Sequence, residues 1–166
     1  GAILAPMIAN LIVSPLTPSN TARTAAMLPI VEGVAQAYRV EPGKSNFGKA
    51  LFIANTFASN ITAGGFLTAT IPNPVAIGMM VTAMGGAAVA TSWGFWALAA
   101  LPTTLVVLVG SQYVVRWIYP PEMKAIPGGL EYIEKELAAM GPTTAREKKA
   151  MLYFLLALVL WSTDMW

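Results

Sequence analysis

The sequence predicts an all-α membrane protein: a re-entrant helical hairpin followed by a broken transmembrane helix. Three observations carry that expectation. Hydrophobic residues make up 56% of the 166-residue chain and charged residues only 11%, against about 25% charged in an ordinary soluble domain. No Asp, Glu, Lys or Arg stands between Lys49 and Arg116, a stretch far longer than the about 20 helical residues that cross a bilayer. Proline-containing polar segments, Ser14 to Thr21 and Thr68 to Pro74, interrupt the apolar runs. The same composition excludes other classes. Disorder needs low hydrophobicity and high charge. The absence of Cys and His excludes a zinc site, a His-based triad and a Cys nucleophile, and the apolar segments hold no paired carboxylates, so no enzyme is expected. A net charge of +2 without basic clusters argues against nucleic acid as a partner. The chain opens at Gly1 in mid-hydrophobic sequence and stops at Trp166 within another apolar run, as a fragment of a longer polypeptide would.

Residues 1–38 are read as the re-entrant hairpin. An apolar run from Ala2 to Val13 enters Ser14-Pro-Leu-Thr-Pro-Ser-Asn-Thr21, and a second run, Ala22 to Ala37, leads back. The second holds Arg23, Pro29, Glu32 and Gln36, too polar for a lipid-facing span. Two short helices dipping in from one side fit better and return the chain to that side at Arg39. Residues 39–47 form the cytoplasmic link. Residues 48–91 form one crossing, broken where Pro72 and Pro74 each remove a backbone donor and clash with the preceding turn. Residues 92–119 make the return crossing. Two full crossings within 48–91 are the competing segmentation, which would split the basic residues across the membrane. One broken crossing keeps Arg39, Lys44 and Lys49 on the side of Arg116, Lys124, Lys135, Arg146, Lys148 and Lys149, with an uncharged turn near Ala90 to Ser92 opposite. The positive-inside rule favours that arrangement and makes the charged side cytoplasmic.

Residues 120–147 read as the aqueous piece. Pro120-Pro121 ends the preceding helix, and Gly141-Pro142 stops a short helix from Leu130 to Met140. Leu130, Ile133 and Leu137 form one apolar stripe, and Glu131 and Lys135 stand at i, i+4, so the helix is expected to lie on the cytoplasmic surface. Residues 148–166 begin the next transmembrane helix, and Thr144 to Glu147 has capping-box spacing at its start. Gly78, Gly85 and Gly86 suit close helix packing.

The chemistry is expected at the two interruptions. Pro18 breaks the first hairpin helix, and Ser19, Asn20 and Thr21 are preferred N-cap types for the second. That helix would aim its unpaired N–H groups and positive dipole end at the tip, a carboxylate site if held at mid-membrane. The Asn20 amide and the Ser19 and Thr21 hydroxyls add ligands for an anion or a small cation. The Thr70-to-Pro74 break would supply unpaired carbonyls from one half-helix, N–H groups from the other, and the amide of Asn73. The competing reading is that these residues only cap their own helices.

The segment Ser14-Pro-Leu-Thr-Pro-Ser-Asn-Thr-Ala-Arg-Thr-Ala-Ala-Met-Leu-Pro-Ile30 resembles the Ser-Asn-Thr signature of the divalent anion/sodium symporter family, carriers of di- and tricarboxylates. Ala69-Thr-Ile-Pro-Asn73 resembles that family's Gly-Thr-Pro-Pro-Asn loop, with Ala69 for Gly and Ile71 for Pro. Trp117-Ile-Tyr-Pro-Pro-Glu-Met-Lys124 and Ala138-Ala-Met-Gly-Pro142 are similar to its citrate/succinate, tartrate/succinate and 2-oxoglutarate/malate exchangers. The resemblance implies an elevator-type carrier about three times this length, built from two inverted repeats and dimeric, of which this chain is part of the first repeat. It implies substrate contacts from Ser19, Asn20, Thr21, Arg23, Thr70, Pro72 and Asn73, and a cation site, or its replacement, at Ser19, Asn20, Arg23 and Ala69. The implied partners are a di- or tricarboxylate, the lipid bilayer, the missing second repeat and a second protomer. No cofactor is implied beyond sodium, should the carrier be a symporter. A bacterial inner membrane is the expected location, with the plastid inner envelope as the alternative.

Arg23 is the informative departure. Sodium-coupled members read Ser-Asn-Thr-Ala-Thr or Ser-Asn-Thr-Ala-Ala, with a neutral residue where Arg23 stands. No acidic residue lies between Gly1 and Val31, so a deep guanidinium must face the anionic substrate or the ligand shell that would otherwise hold sodium. A fixed charge makes the empty carrier's crossing unfavourable, which predicts obligate exchange. Pro15 and Pro18, without side-chain oxygens, point the same way. The plainer alternative has Arg23 reaching water or pairing with Glu32. A sodium-coupled dicarboxylate symporter is the runner-up, and a carrier of sulfate or another inorganic anion the more distant one.

Overall fold

The computed structural model describes residues 2–85, 92–122, 135, 138–139 and 141–163. Among these the chain is helical, without strands. Helix α1 (Leu4–Val13) runs into a 3₁₀ turn at Ser14–Leu16, and α2 (Asn20–Ala37) returns alongside it. The reversal has local causes. Pro15 sits inside the 3₁₀ turn, Thr17 and Ser19 are extended, and the Ser19 hydroxyl accepts from the Ala22 N–H at 3.2 Å. This cap starts α2 two residues before the apolar run predicted from Ala22. Helix α2 continues through Pro29, which forgoes one backbone bond.

Helix α3 (Asn46–Gly65) is the centre of the fold. Ser45 caps it from outside, accepting from the Gly48 N–H at 3.2 Å. Its buried residues form two stripes. Phe47, Ala50, Leu51, Ala54 and Ala58 make a small apolar one, joined in the core by Ile3, Met7, Val31, Ala35, Leu108 and Val115. Asn55, Ser59 and Thr62, none exposed, make a polar one at i, i+4 and i+7. Alanines let neighbouring backbones approach, which matters most where lipid supplies no hydrophobic drive. The hairpin lies along one side of α3, and Tyr38 stacks on Phe47 at 4.5 Å at the open end.

Helix α3 stops at Gly65, followed by extended Phe66, a 3₁₀ turn at Leu67–Ala69 and extended Thr70. Helix α4 (Pro72–Ala83) opens on Pro72, where a missing N–H costs nothing. Helix α5 (Trp93–Ile118) then runs antiparallel to α3. At 26 residues it is about 39 Å long, enough for the about 30 Å hydrocarbon core. It alone among the described helices is long and apolar enough to cross a membrane; α3 carries Lys49 and the polar stripe. A side chain at Gly65 would sit 3.1 Å from Thr104, so α3 and α5 touch closely beside the break. Gly78 has no neighbour within 4 Å of a built side chain. Helix α6 (Ala145–Thr163) begins with a reciprocal capping box: the Glu147 carboxylate accepts from the Thr144 N–H at 2.7 Å, and the Thr144 hydroxyl accepts from the Glu147 N–H at 3.3 Å. Most of the helix predicted at Leu130 to Met140, the turn from Ala90 to Thr91, and Gly86 lie outside the described residues.

Just beyond α5, Glu122 closes the end of the α3–α5 pair. Its carboxylate accepts from the Asn46 and Phe47 N–H groups and the Ser45 hydroxyl. The Asn46 N–H, the residue's own N–H and the Phe47 N–H together hold its carboxyl below the usual carboxylate range. A folded-state value depressed below the unfolded one gives stability that is complete above the unfolded value, near 4.5, and lost as pH falls through the folded one. Thermal melts of the solubilised protein from pH 7 down to pH about 3 should therefore show a decline that is smaller in Glu122→Gln, where only other carboxylates such as capping Glu147 still contribute. Equal pH dependence in both proteins would count against the clasp.

Candidate binding site at the two helix interruptions

The two breaks meet. The hairpin turn and the 3₁₀ turn after α3 pack together, and the Thr68 hydroxyl donates to the Pro15 carbonyl at 3.0 Å. The Ser14 hydroxyl donates to the Thr62 carbonyl at 2.8 Å. Asn20 Nδ2 donates to Asn60 Oδ1 at 2.8 Å, and Asn60 is held by its own bond to the Thr56 carbonyl. Asn73 reaches the same helix, donating to the Ala63 and Phe66 carbonyls at 2.8 and 2.9 Å. Asn60 and Ala63 stand at i and i+3 on α3, about 4.5 Å apart along its axis. The two asparagines thus anchor on neighbouring positions.

One sequence expectation needs correction. The end of α3 does not offer a row of unpaired carbonyls. Thr62 O serves Ser14, Ala63 O serves Asn73, Gly64 O accepts from the Trp96 indole at 3.0 Å, and Phe66 O serves Asn73 and Ala69. The Asn73 donors are spent on this capping, so the side chain offers a ligand only its oxygen. An interrupted helix end in a dry interior must satisfy its carbonyls locally, and a buried amide four residues past the 3₁₀ turn does so. Ala69 is fully buried, Thr70 half-buried and Pro72 exposed. Ser19 spends its hydroxyl on its cap. Thr21 is exposed beside it, and Asn20 keeps its Oδ1 and one N–H for a ligand.

Arg23 is the most consequential placement. It is 1% exposed, neither in water nor beside Glu32, which is exposed. Its Nη1 donates to the Thr17 carbonyl at 3.2 Å and its Nη2 to the Ser59 carbonyl at 2.7 Å. Its Nε has no partner. Among the described residues no carboxylate pairs with it. A buried unpaired cation is costly, and carbonyl dipoles from a helix interruption and from α3 are what offset it here. Along the same polar stripe of α3, Asn10 Nδ2 donates to Asn55 Oδ1 and to the Pro6 carbonyl, both at 2.8 Å, while Ser59 donates to the Asn20 carbonyl at 2.7 Å.

The description "Sodium:sulfate symporter transmembrane region" names the family that matches residues 3–165. The chain belongs to this family, that of the divalent anion/sodium symporters. L-tartrate/succinate antiporters of Escherichia coli strains UTI89 and K12 and of Shigella flexneri are each 35% identical to it over 159 residues, 93% of this chain and 32% of theirs. The chain spans about a third of the length of these curated relatives. Its all-helical fold suits a transmembrane symporter family.

Around the two interruptions the structure gathers polar and aromatic residues that motif reading missed: Asn10, Asn55, Ser59 and Asn60, together with Trp93 and Trp96. The signal for α3 was present as Asn55, Ser59 and Thr62 at helical spacing inside a charge-free stretch, a polar face that must turn inward. The signal for the indoles was weaker, since two tryptophans at the start of an apolar helix also fit an interfacial belt.

Proposed function

We propose that this chain is part of the first repeat of a carrier that moves C4–C6 di- or tricarboxylates across a membrane by exchange. The observation that carries the reading is the buried Arg23 guanidinium, held by the Thr17 and Ser59 carbonyls at the hairpin tip. Carbonyl oxygens at a helix interruption are the usual ligands of a small cation in discontinuous-helix transporters. Here a covalently attached cation fills that role. It sits four residues past the Ser19 cap, so the N-terminus of α2, the Asn20 amide and the fixed charge all favour a carboxylate at one end of the hairpin.

The coupling follows from charge. An empty site would carry Arg23 through the membrane uncompensated, at a cost of several kcal/mol. A bound dicarboxylate pairs one carboxylate with that charge, and a second positive group from the remainder of the carrier would have to meet the other, so that the loaded form crosses and the empty form does not. Exchange results without sodium. The remainder of the carrier, about two thirds of the relatives' length, would supply a second interrupted hairpin and close the site from the other side. Inverted repeats, a dimer and an elevator-type movement in a bacterial inner membrane belong to this reading.

Reconstitution of the full-length parent in liposomes tests it. Labelled succinate uptake should require internal dicarboxylate and ignore a sodium gradient. Sodium-driven uptake into empty vesicles would overturn exchange in favour of symport.

A further inference from the structure

We propose that Thr68 is a positioning residue that locks the two interruptions together, so that dicarboxylate affinity depends on its hydroxyl; this rests on the carrier reading above. The Trp93 indole N–H donates to Thr68 Oγ1 at 3.1 Å, and Thr68 Oγ1 donates to the Pro15 carbonyl at 3.0 Å. Direction is fixed throughout. An indole N–H only donates, a proline carbonyl only accepts, and a hydroxyl does both with one proton. The relay therefore needs a hydroxyl in the middle.

It joins three segments far apart in sequence: the first turn of α5, the break after α3, and the hairpin turn. Phe66 stacks on the Trp93 ring at 5.8 Å, and Trp96, one turn along, donates to the Gly64 carbonyl. The indole is thus fixed on α5 before it reaches Thr68. Across the break, Asn20 and Arg23 hang from the hairpin while Thr70 hangs from the α3–α4 connection. A carboxylate that needs both sets sees them in register only while the turns stay fastened. The contact is distinct from the helix caps, since neither Trp93 nor Pro15 gains a helix bond from it.

The test compares Thr68→Val, which keeps the shape and removes the hydroxyl, with Thr68→Ser, which keeps the hydroxyl, in the full-length carrier. Two bonds are lost in the valine variant, leaving an indole N–H and a carbonyl unpaired. Its KM for succinate counterflow should rise about tenfold with the maximal rate within about twofold, and serine should restore KM. Hydrogen–deuterium exchange supplies a readout independent of transport. The valine variant should exchange faster both around residues 66–73 and around residues 14–18, and the serine variant at neither. Faster exchange confined to residues 66–73, or an unchanged KM in the valine variant, overturns the proposal. Coupled loss of protection in a protein that transports no dicarboxylate under any gradient would keep the fastening and remove the carrier reading.

Discussion

Arg23→Ala in the full-length carrier is expected to lower dicarboxylate exchange on the order of 100-fold. The figure comes from the charge the site would lose. Unit charges about 6 Å apart at an effective dielectric of about 20 attract by about 3 kcal/mol, which is on the order of 100-fold in affinity. Alanine would also strip the Thr17 carbonyl of its side-chain donor and leave the Ser59 carbonyl only the longer bond from the Thr62 hydroxyl at 3.4 Å. These two oxygens beside an Arg-sized vacancy form a set that a small cation can satisfy. The variant should therefore gain a sodium-dependent rise in melting temperature that wild type lacks, read by melts in sodium against choline. Arg23→Lys should recover exchange only in part. One ammonium cannot span carbonyls on two different segments as the planar guanidinium does. Exchange by Arg23→Ala within about twofold of wild type would show that the guanidinium is not the built-in counter-charge.

Asn55→Ala is expected to be the most destabilising single change among the buried polar residues, by about 2 kcal/mol. The Asn55 side chain accepts from Asn10 on α1 and donates to the Thr24 carbonyl on α2 at 3.4 Å, so one amide fastens both hairpin helices to α3. Interhelical hydrogen bonds in membranes average only about 0.6 kcal/mol, and the longer of these two bonds is the weaker. The bonds alone therefore do not reach the expected figure. The remainder is the penalty on Asn10, fully buried, whose Oδ1 already lacks a partner and which would lose one of its two acceptors. A double-mutant cycle with Asn10→Ala separates the terms: removing both amides should cost less than the sum of the singles. Strict additivity in thermal melts of the full-length protein would mean that the two amides do not act together.

Much of the architecture was legible because membrane constraints are written in one dimension. The chain cannot leave backbone groups unpaired in lipid, so a long uncharged stretch must be helix, and closely spaced prolines among polar residues mark breaks, whereas the lone Pro102 stays inside α5. The Ser19 cap, the Thr144–Glu147 box and the interruption before Pro72 were accordingly readable from spacing. Arg23 was visible as an anomaly, since a lone cation in an apolar segment demands a partner. What spacing could not tell was which partner. Ser59 O lies 36 residues away, and its availability depends on how closely the hairpin seats against the alanine stripe of α3. The donors of Asn73 were misjudged for the same reason, because whether an amide faces a ligand or caps Ala63 and Phe66 is settled by the path of the backbone through the break.

Sequence alone therefore determined that the chain is helical, where its helices are interrupted, and that a cation sits near the first interruption. Each of these follows from local rules of backbone pairing and hydration. Only the tertiary structure decided that the two interruptions fasten through Thr68 and Pro15, that Arg23 rests on the Thr17 and Ser59 carbonyls, and that Asn10 and Asn55 face each other. Apart from the Arg23–Thr17 bond, these contacts join residues dozens of positions apart, and their geometry is set by the side-chain volumes along α3, which no local pattern encodes.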